Sequence, residues 1–362
     1  MKDCSLKRCG SSVIIFSLPW RRSENMNSPM GPIYFIVYGI IGKIFRFFHL
    51  LDEKHSSYFF FFLLLLISRY ISACRYRNFL IFLFIINPYF LVMTGPFLYT
   101  DVLGLLFVYL GLLSYRDGKS QFLTGLFWGV AICTRQLFVI VPLAAMIHNL
   151  YRSFFEDKLY FIDLIAPLIA FLFFLPLYVL WDYNVNSGAF AENSFQENTL
   201  EAFSFSLKTF NYSLILIGLF AAPVLFKDFI IAYSNPKIPI LLLAILLSIL
   251  AFPVNVNRDM QYGNLPATAG LLDIFFNKIG IFKYLVVPSL LHWGLSFMVE
   301  LFRYSWRFKS FFFLLLILLF LLLESFYSYC WDKHFLIIIP VVFVISDRIT
   351  KQKEEDFVKQ FS

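Results

Sequence analysis

Long apolar stretches alternate with short polar segments along most of the chain. A helix needs about 20 apolar residues to cross a bilayer, and lipid offers no hydrogen-bond partner to other backbone arrangements. The pattern therefore predicts an all-α, polytopic membrane protein with about 10 to 12 helices. A shorter stretch, 33–50, is expected to lie along the membrane surface. The longer stretches are 58–74, 79–96, 102–115, 121–134, 137–150, 160–181, 211–234, 238–254, 266–277, 281–301, 310–326 and 335–347.

Composition supports the membrane assignment. Of 362 residues, 60% are hydrophobic and 15% are charged, with a mean hydropathy of +0.74. A water-soluble domain of this size does not keep so much apolar surface from water. The net charge of +7 comes from short Lys and Arg clusters between apolar stretches. Anionic lipid headgroups explain those clusters, so we expect membrane lipid, and no nucleic acid, as a partner.

The basic clusters also predict the orientation of the chain. The positive-inside rule makes the side that carries them cytoplasmic, so the polar segments between the other helix ends face the opposite side. One region conflicts with this assignment, because Lys278/Lys283 and Arg303/Arg307 would both be cytoplasmic. Either 284–301 is re-entrant or a neighbouring stretch does not span. The clusters are Arg75/Arg77, Arg116/Lys119, Arg152/Lys158, Lys227/Lys237 and Lys351/Lys353.

The predicted organisation is one membrane domain with two short flanks. Residues 1–32 form a basic interfacial segment, 33–350 the multispanning domain and 351–362 a cytoplasmic tail. The first segment resembles neither a signal peptide nor a span, so it lies in the interface or the chain starts late. The glycosylation sequon Asn211-Tyr212-Ser213 is expected to be unmodified, because it lies at a helix mouth close to the bilayer.

Three polar features are predicted to meet on the non-cytoplasmic face. The first is Asp101 at the mouth of a helix. An ionised group there is costly unless it faces water or a substrate, so its presence suggests a function. The second is Arg135 at the tip of a helical hairpin, and the third is the loop that carries Arg258 and Asp259. A guanidinium suits a phosphate and a carboxylate can accept a proton, so we expect a lipid-phosphate substrate. The alternatives are a buried ion pair for Arg135 and a solvated loop pair for Arg258 and Asp259.

The N-terminal half resembles the GT-C superfamily of multispanning glycosyltransferases, which use polyprenyl-phosphate sugars. Pro29-Met30-Gly31-Pro32-Ile33-Tyr34 is similar to a proline-rich stretch in the first outer loop of that fold. Tyr99-Thr100-Asp101 matches the acid of the second loop, and Arg135-Gln136 is similar to the Arg-Gln pair at the hairpin tip. The resemblance implies a GT-C-like arrangement of the helices.

The C-terminal half is similar to one family within that superfamily, the dolichyl-phosphate-glucose α-1,2-glucosyltransferases. Those enzymes carry an Asn-Arg-His-Tyr loop, a Lys-Tyr-Leu-x-x-Pro helix and a late Arg-Tyr-Phe-x-x-Pro segment. The matching pieces here are Asn257-Arg258 with Tyr262, then Lys283-Tyr284-Leu285-Val286-Val287-Pro288, and then Lys333-His334-Phe335 before Pro340. Their order agrees with the family across roughly residues 29–347.

The resemblance implies transfer of a hexose, expected to be glucose, from a dolichyl-type phosphate to a lipid-linked oligosaccharide or similar glycan by inverting displacement. Asp101 is the expected base, with Glu24 as a substitute for the first-loop acid. The implied ligands of the donor phosphate are Arg135, Gln136, Arg258, Lys333 and His334, and the implied substrate contacts are Asn257, Asp259 and Tyr262. No cofactor is expected and no metal ligands are assigned, although a divalent metal ion is compatible with the sequence. The implied location is the endoplasmic reticulum membrane in a eukaryote and the inner membrane in a bacterium.

Two departures from the family keep other functions open. The first-loop Asp-Glu pair is missing, and Asp259 follows Asn257-Arg258 where the family has histidine. A non-catalytic or truncated relative would keep the helices and lose that acid. A secondary transporter would also place isolated charges within helices, although such folds usually show paired broken helices in related halves, which this sequence lacks.

Overall fold

The computed structural model describes residues 56–86, 100–118, 120–155, 161–180, 205–234, 238–253, 271–326 and 332–361, and no strand occurs among them. The all-α class is therefore confirmed, while the GT-C-like arrangement and the full helix count stay predictions. The α-helices are α1 Ser56–Tyr70, α2 Arg77–Ile85, α3 Thr100–Arg116, α4 Gln121–Thr134, α5 Ile140–Phe155, α6 Phe161–Leu180, α7 Leu207–Ser234, α8 Ile238–Leu250, α9 Leu271–Lys278, α10 Lys283–Phe308, α11 Phe312–Phe326 and α12 Ile339–Phe361. Short 3-10 helices cover Gln136–Val139, Gly280–Phe282 and Asp332–Ile337.

Three helical segments within the described ranges are long and apolar enough to cross a bilayer. They are Leu137–Phe155, Leu207–Phe226 and Gly280–Phe308. The other apolar helices contribute segments of 10–17 residues within the described ranges. Of the predicted span 266–277, residues 271–277 belong to α9 and residues 266–270 lie outside the described residues.

One alternative for the second half needs correction. The re-entrant alternative for 284–301 is wrong, because α10 is one continuous helix of 26 residues. Lys283 and Arg307 therefore lie at opposite ends of that helix. The segment 351–361, the larger part of the predicted tail, is helical and continues α12 to Phe361.

The described residues group into two compact units. The first unit contains residues 56–67 of α1 together with α3 to α6, and the second contains residues 68–86 and α7 to α12. Each unit is held together by buried apolar side chains and by glycines at helix crossings. The two units are described separately below.

In the first unit, α3 and α4 pack side by side in opposite directions. Near the end of α3, the hydroxyl of Thr124 donates a hydrogen bond to Ser114 Oγ at 2.9 Å. Near the start of α3, a Cβ placed on Gly104 would lie 2.6 Å from Thr134 Oγ1 at the end of α4. The two contacts fix the order of the helices from one end of the pair to the other.

A second crossing in the first unit joins α4 to α6 through a Gly-x-x-x-Gly pattern. A Cβ on Gly125 would lie 2.6 Å from the carbonyl oxygen of Ala166, and one on Gly129 would lie 2.7 Å from Phe173 Cβ. Small residues at this spacing let two backbones approach closely, as is typical of helices packed in lipid. The two helices therefore run in the same direction, which leaves α5 to run in the opposite direction between them.

In the second unit, α7 crosses α10 at a pair of glycines. A Cβ on Gly218 would lie 2.6 Å from the backbone nitrogen of Gly294. Beside this crossing, the buried amide of Asn211 donates to the carbonyl oxygens of Leu247 at 2.9 Å and Ala251 at 2.8 Å. Asn211 thus caps the end of α8, whose last carbonyls would otherwise lack a donor.

Candidate functional site

Asp101 is the second residue of α3. The first turn of a helix carries unsatisfied N–H groups and the positive end of the helix dipole, which stabilises a carboxylate by about 0.3–1 kcal/mol. The sequence predicted an acid at a helix mouth, and the backbone of Asp101 occupies that position. A carboxylate at such a helix end can serve as a proton acceptor.

Arg135 forms the break between α4 and α5. Its backbone is extended, with φ −157° and ψ 127°, so α4 ends at Thr134 and a 3-10 helix begins at Gln136. The Arg135 N–H donates to the Ala131 carbonyl at 3.0 Å, and its own carbonyl accepts from Phe138 at 3.2 Å. Arg135 is half-buried, and Thr134 before it is fully buried. This agrees with the predicted position of Arg135-Gln136 at a hairpin tip.

The start of α3 lies directly against this break. Gly104 stands one turn after Asp101, and a Cβ on it would lie 2.6 Å from Thr134 Oγ1 and 2.8 Å from Phe138 Cζ. Thr134 immediately precedes Arg135, and Phe138 belongs to the 3-10 helix that begins with Gln136. The structure therefore brings Asp101, Arg135 and Gln136 to one end of the first unit.

Two other basic residues of the first unit, Arg116 and Arg152, lie at its opposite end. The Tyr115 hydroxyl donates to Asn149 Oδ1 at 3.1 Å, and the Asn149 amide donates to the Asp163 carbonyl at 2.8 Å. Arg116 follows Tyr115 directly, and Arg152 lies one turn after Asn149. The two arginines are therefore separated from Asp101 and Arg135 by the length of the helices, as the basic clusters predicted.

Lys333 and His334 lie in the 3-10 helix Asp332–Ile337 of the second unit. This short helix is anchored by Phe335, which is fully buried and whose ring lies 4.9 Å from that of Phe320 and 6.3 Å from that of Phe220. The backbone of Lys333-His334 is thereby held near the end of α11. The predicted site residues Glu24, Asn257, Arg258, Asp259 and Tyr262 lie outside the described residues.

Glu324 is a buried acid that the sequence analysis did not consider. Its side chain is 0% exposed in the last turns of α11. It stands four residues after Phe320 and so shares its helix face, the face that Phe335 covers. Glu324 therefore lies beside the short helix that carries Lys333 and His334. An acid near the end of a 15-residue apolar helix is the same signal that singled out Asp101.

A second group of charged residues connects the middle of α12 to the turn between α1 and α2. The carboxylate of Asp347 is 4% exposed, accepts the Arg75 N–H at 3.0 Å and pairs with Lys351 at 2.7 Å. The hydrogen bond that Arg75 donates to Glu354 raises the pKa of the Arg75 guanidinium. Burial, and then the Asp347 charge, raise the pKa of the Cys74 thiol to about 11. These groups stabilise the fold and leave no reactive thiolate at neutral pH.

Among the described residues, no group of three or more His, Cys, Asp or Glu side chains could hold a metal ion. No family model, no curated protein sequence and no solved structure matches the chain. Within its described residues the protein is all-helical, and three of its helical segments are long and apolar enough to cross a bilayer.

Proposed function

We propose that the chain is a membrane-embedded glycosyltransferase that moves a hexose from a polyprenyl phosphate to a lipid-linked oligosaccharide or similar glycan. The observation that carries the proposal is the packing of the first turn of α3, with Asp101, against the helix break at Arg135. The backbones of Asp101 and Arg135 thus come from separate parts of the chain to one end of the first unit. An acid and a cation at one helix end suit a lipid-phosphate substrate.

Exposed apolar side chains on the helices support a lipid environment. On α8, Leu242, Ile249 and Leu250 are 59%, 75% and 63% exposed. On α6, Ile162 and Leu172 are 70% and 63% exposed. Faces of this kind are costly in water, whereas the bilayer interior suits them. A donor with a polyprenyl tail reaches such a protein from within the membrane.

The proposed reaction is a single displacement at the anomeric carbon of the donor. Asp101 takes the proton from the acceptor hydroxyl, and the oxygen forms the new glycosidic bond from the face opposite the leaving group. The bond to the phosphate oxygen breaks, and polyprenyl phosphate leaves with the electron pair. Arg135 stabilises the negative charge that develops on that phosphate. Inversion at the sugar follows from the single step.

The test uses membranes that contain the full chain, a labelled polyprenyl-phosphate hexose and a lipid-linked glycan acceptor. Asp101→Asn and Arg135→Gln are expected to abolish transfer, because one removes the base and the other the cation. Asp117→Asn is the matched control, since it makes the same change at the far end of α3, where Asp117 accepts from Arg116 at 3.1 Å. Full transfer by Asp101→Asn would remove Asp101 from the mechanism, whereas solute uptake without any transfer would support a transporter.

A further inference from the structure

Exposed aromatic side chains stand at both ends of the helical segment Gly280–Phe308. At its start, Phe282 and Tyr284 are 69% and 62% exposed. At its end, Phe302 and Trp306 are 52% and 66% exposed, and their rings stack at 6.0 Å. Aromatic residues are enriched where a helix passes from the hydrocarbon region to the headgroups.

Cations accompany both aromatic groups. At the first end, Lys283 Nζ lies 5.5 Å from the centre of the Tyr284 ring. At the second end, Arg303 and Arg307 have side chains that are 57% and 55% exposed. Lys309 then ends the helix in a left-handed conformation with φ 50°. A ring with a cation beside it suits the headgroup region, where the cation can contact lipid phosphates.

The spacing of the two groups matches a bilayer. Tyr284 and Trp306 are 22 positions apart in one continuous helix, about 33 Å at a rise of 1.5 Å per residue. The hydrocarbon core of a bilayer is about 30 Å thick. Between them, residues 285–299 contain no Lys, Arg, Asp or Glu, and the charged residues nearer Trp306, Glu300 and Arg303, pair with each other at 3.1 Å. His292, the titratable side chain of that stretch, is only 1% exposed and so does not face lipid.

We propose that Gly280–Phe308 crosses the membrane once, with Tyr284 and Trp306 in opposite headgroup regions, and that the Trp306 end is cytoplasmic. The sidedness follows from the residues gathered at that end. Arg307 pairs with Asp356, and Lys353 pairs with Glu300 at 3.3 Å, so the second half of α12, with Lys351 and Lys353, lies there too. The Tyr284 end carries fewer cations among the described residues and takes the opposite side. This register does not depend on the proposed reaction.

The test places single cysteines in a full-length chain whose own five cysteines are replaced by alanine. Ile281→Cys and Phe308→Cys lie at exposed positions outside the two aromatic groups, and Leu295→Cys lies midway. In sealed vesicles of known orientation, a membrane-impermeant maleimide is expected to label position 308 only from the cytoplasmic side and position 281 only from the other side. Position 295 is expected to lose all labelling until detergent is added.

Labelling of positions 281 and 308 from the same side would overturn the proposal, and so would rapid labelling of position 295 in sealed vesicles. Tyr284→Cys and Lys309→Cys form a second pair, so that failure of one variant to fold does not leave the register undecided. Each variant is compared by size-exclusion profile in detergent before labelling. An exchange of sides, with position 281 labelled from the cytoplasm, would overturn the proposed sidedness.

Discussion

Replacing Gly104 with alanine tests whether the contact between α3 and the Arg135 break sets the geometry of the proposed site. The new Cβ would overlap Phe138 Cε2, its nearest neighbour, and would lie 2.6 Å from Thr134 Oγ1, whereas ordinary contact begins at 3.4 Å. Thr134 and Phe138 are 0% and 2% exposed, so neither side chain can turn into open space. The start of α3 must therefore move away from the break by about 1 Å or more.

The expected cost has one part in stability and one in activity. Overpacking a buried contact costs about 1–3 kcal/mol, and the helix preference of alanine over glycine returns about 1 kcal/mol. A displacement of about 1 Å between groups that act together can lower a reaction rate by about 100-fold. We therefore expect Gly104→Ala to lose little stability and at least about tenfold in hexose transfer.

Gly111→Ala is the matched control, because it lies on the same helix and the added Cβ would overlap the buried indole ring of Trp128. Position 111 is seven residues from Gly104, about 10 Å farther from the Arg135 break. Thermal unfolding in detergent and transfer per folded molecule are measured for both variants. Equal losses of transfer in the two variants, or wild-type transfer in Gly104→Ala, would refute the role given to the α3 contact.

Three further predictions concern groups outside that contact. The pKa of Cys74 is about 11 against an ordinary 9.0, so in a variant that retains only this cysteine it should react with iodoacetamide at pH 8 about 100-fold more slowly than a free thiol. In the same variant, the stability that burial of the neutral thiol provides should be lost as the pH rises from 9 toward 11. Asn211→Ala should cost about 1–3 kcal/mol because the buried carbonyls of Leu247 and Ala251 lose their donor, and wild-type chain from a glycosylating host should show no mobility shift with an N-glycosidase. Asp347→Ala should cost about 1–3 kcal/mol and Asp356→Ala, whose partner Arg307 is exposed, under about 1 kcal/mol; equal costs in thermal unfolding would contradict this ranking.

The apolar pattern was sufficient to predict those helices whose ends are set by residues close to them in the sequence. The predicted stretch 121–134 is α4 with the same bounds. Ser120 accepts the Leu123 N–H at the start of that helix, and Arg135 leaves the helical conformation at its end. Signals of this kind lie within a few residues of one another, so the sequence displays them directly.

Other features depend on partners that the sequence does not reveal. The predicted tail 351–361 belongs to α12, where Glu354 pairs with Arg75 across 279 positions and Asp356 with Arg307 across 49. The burial of Glu324 likewise depends on how distant helices pack. The positive-inside rule placed the cations on both sides of 284–301 in the cytoplasm because the rule says nothing about helix length. In the structure α10 is long enough to carry cations at both of its ends.

The register of α3 explains why Asp101 and the Arg135 break come together. Gly104 and Gly111 face α4, and Val108 between them is fully buried. These positions repeat with alternating spacings of four and three residues, which is the seam that one helix presents to a partner packed along it. The backbone of Asp101 lies three residues before Gly104, at the start of α3. Because Gly104 contacts Thr134 and Phe138 on either side of Arg135, the contacts that pack α3 on α4 also hold the start of α3 at the end of the unit where the Arg135 break lies.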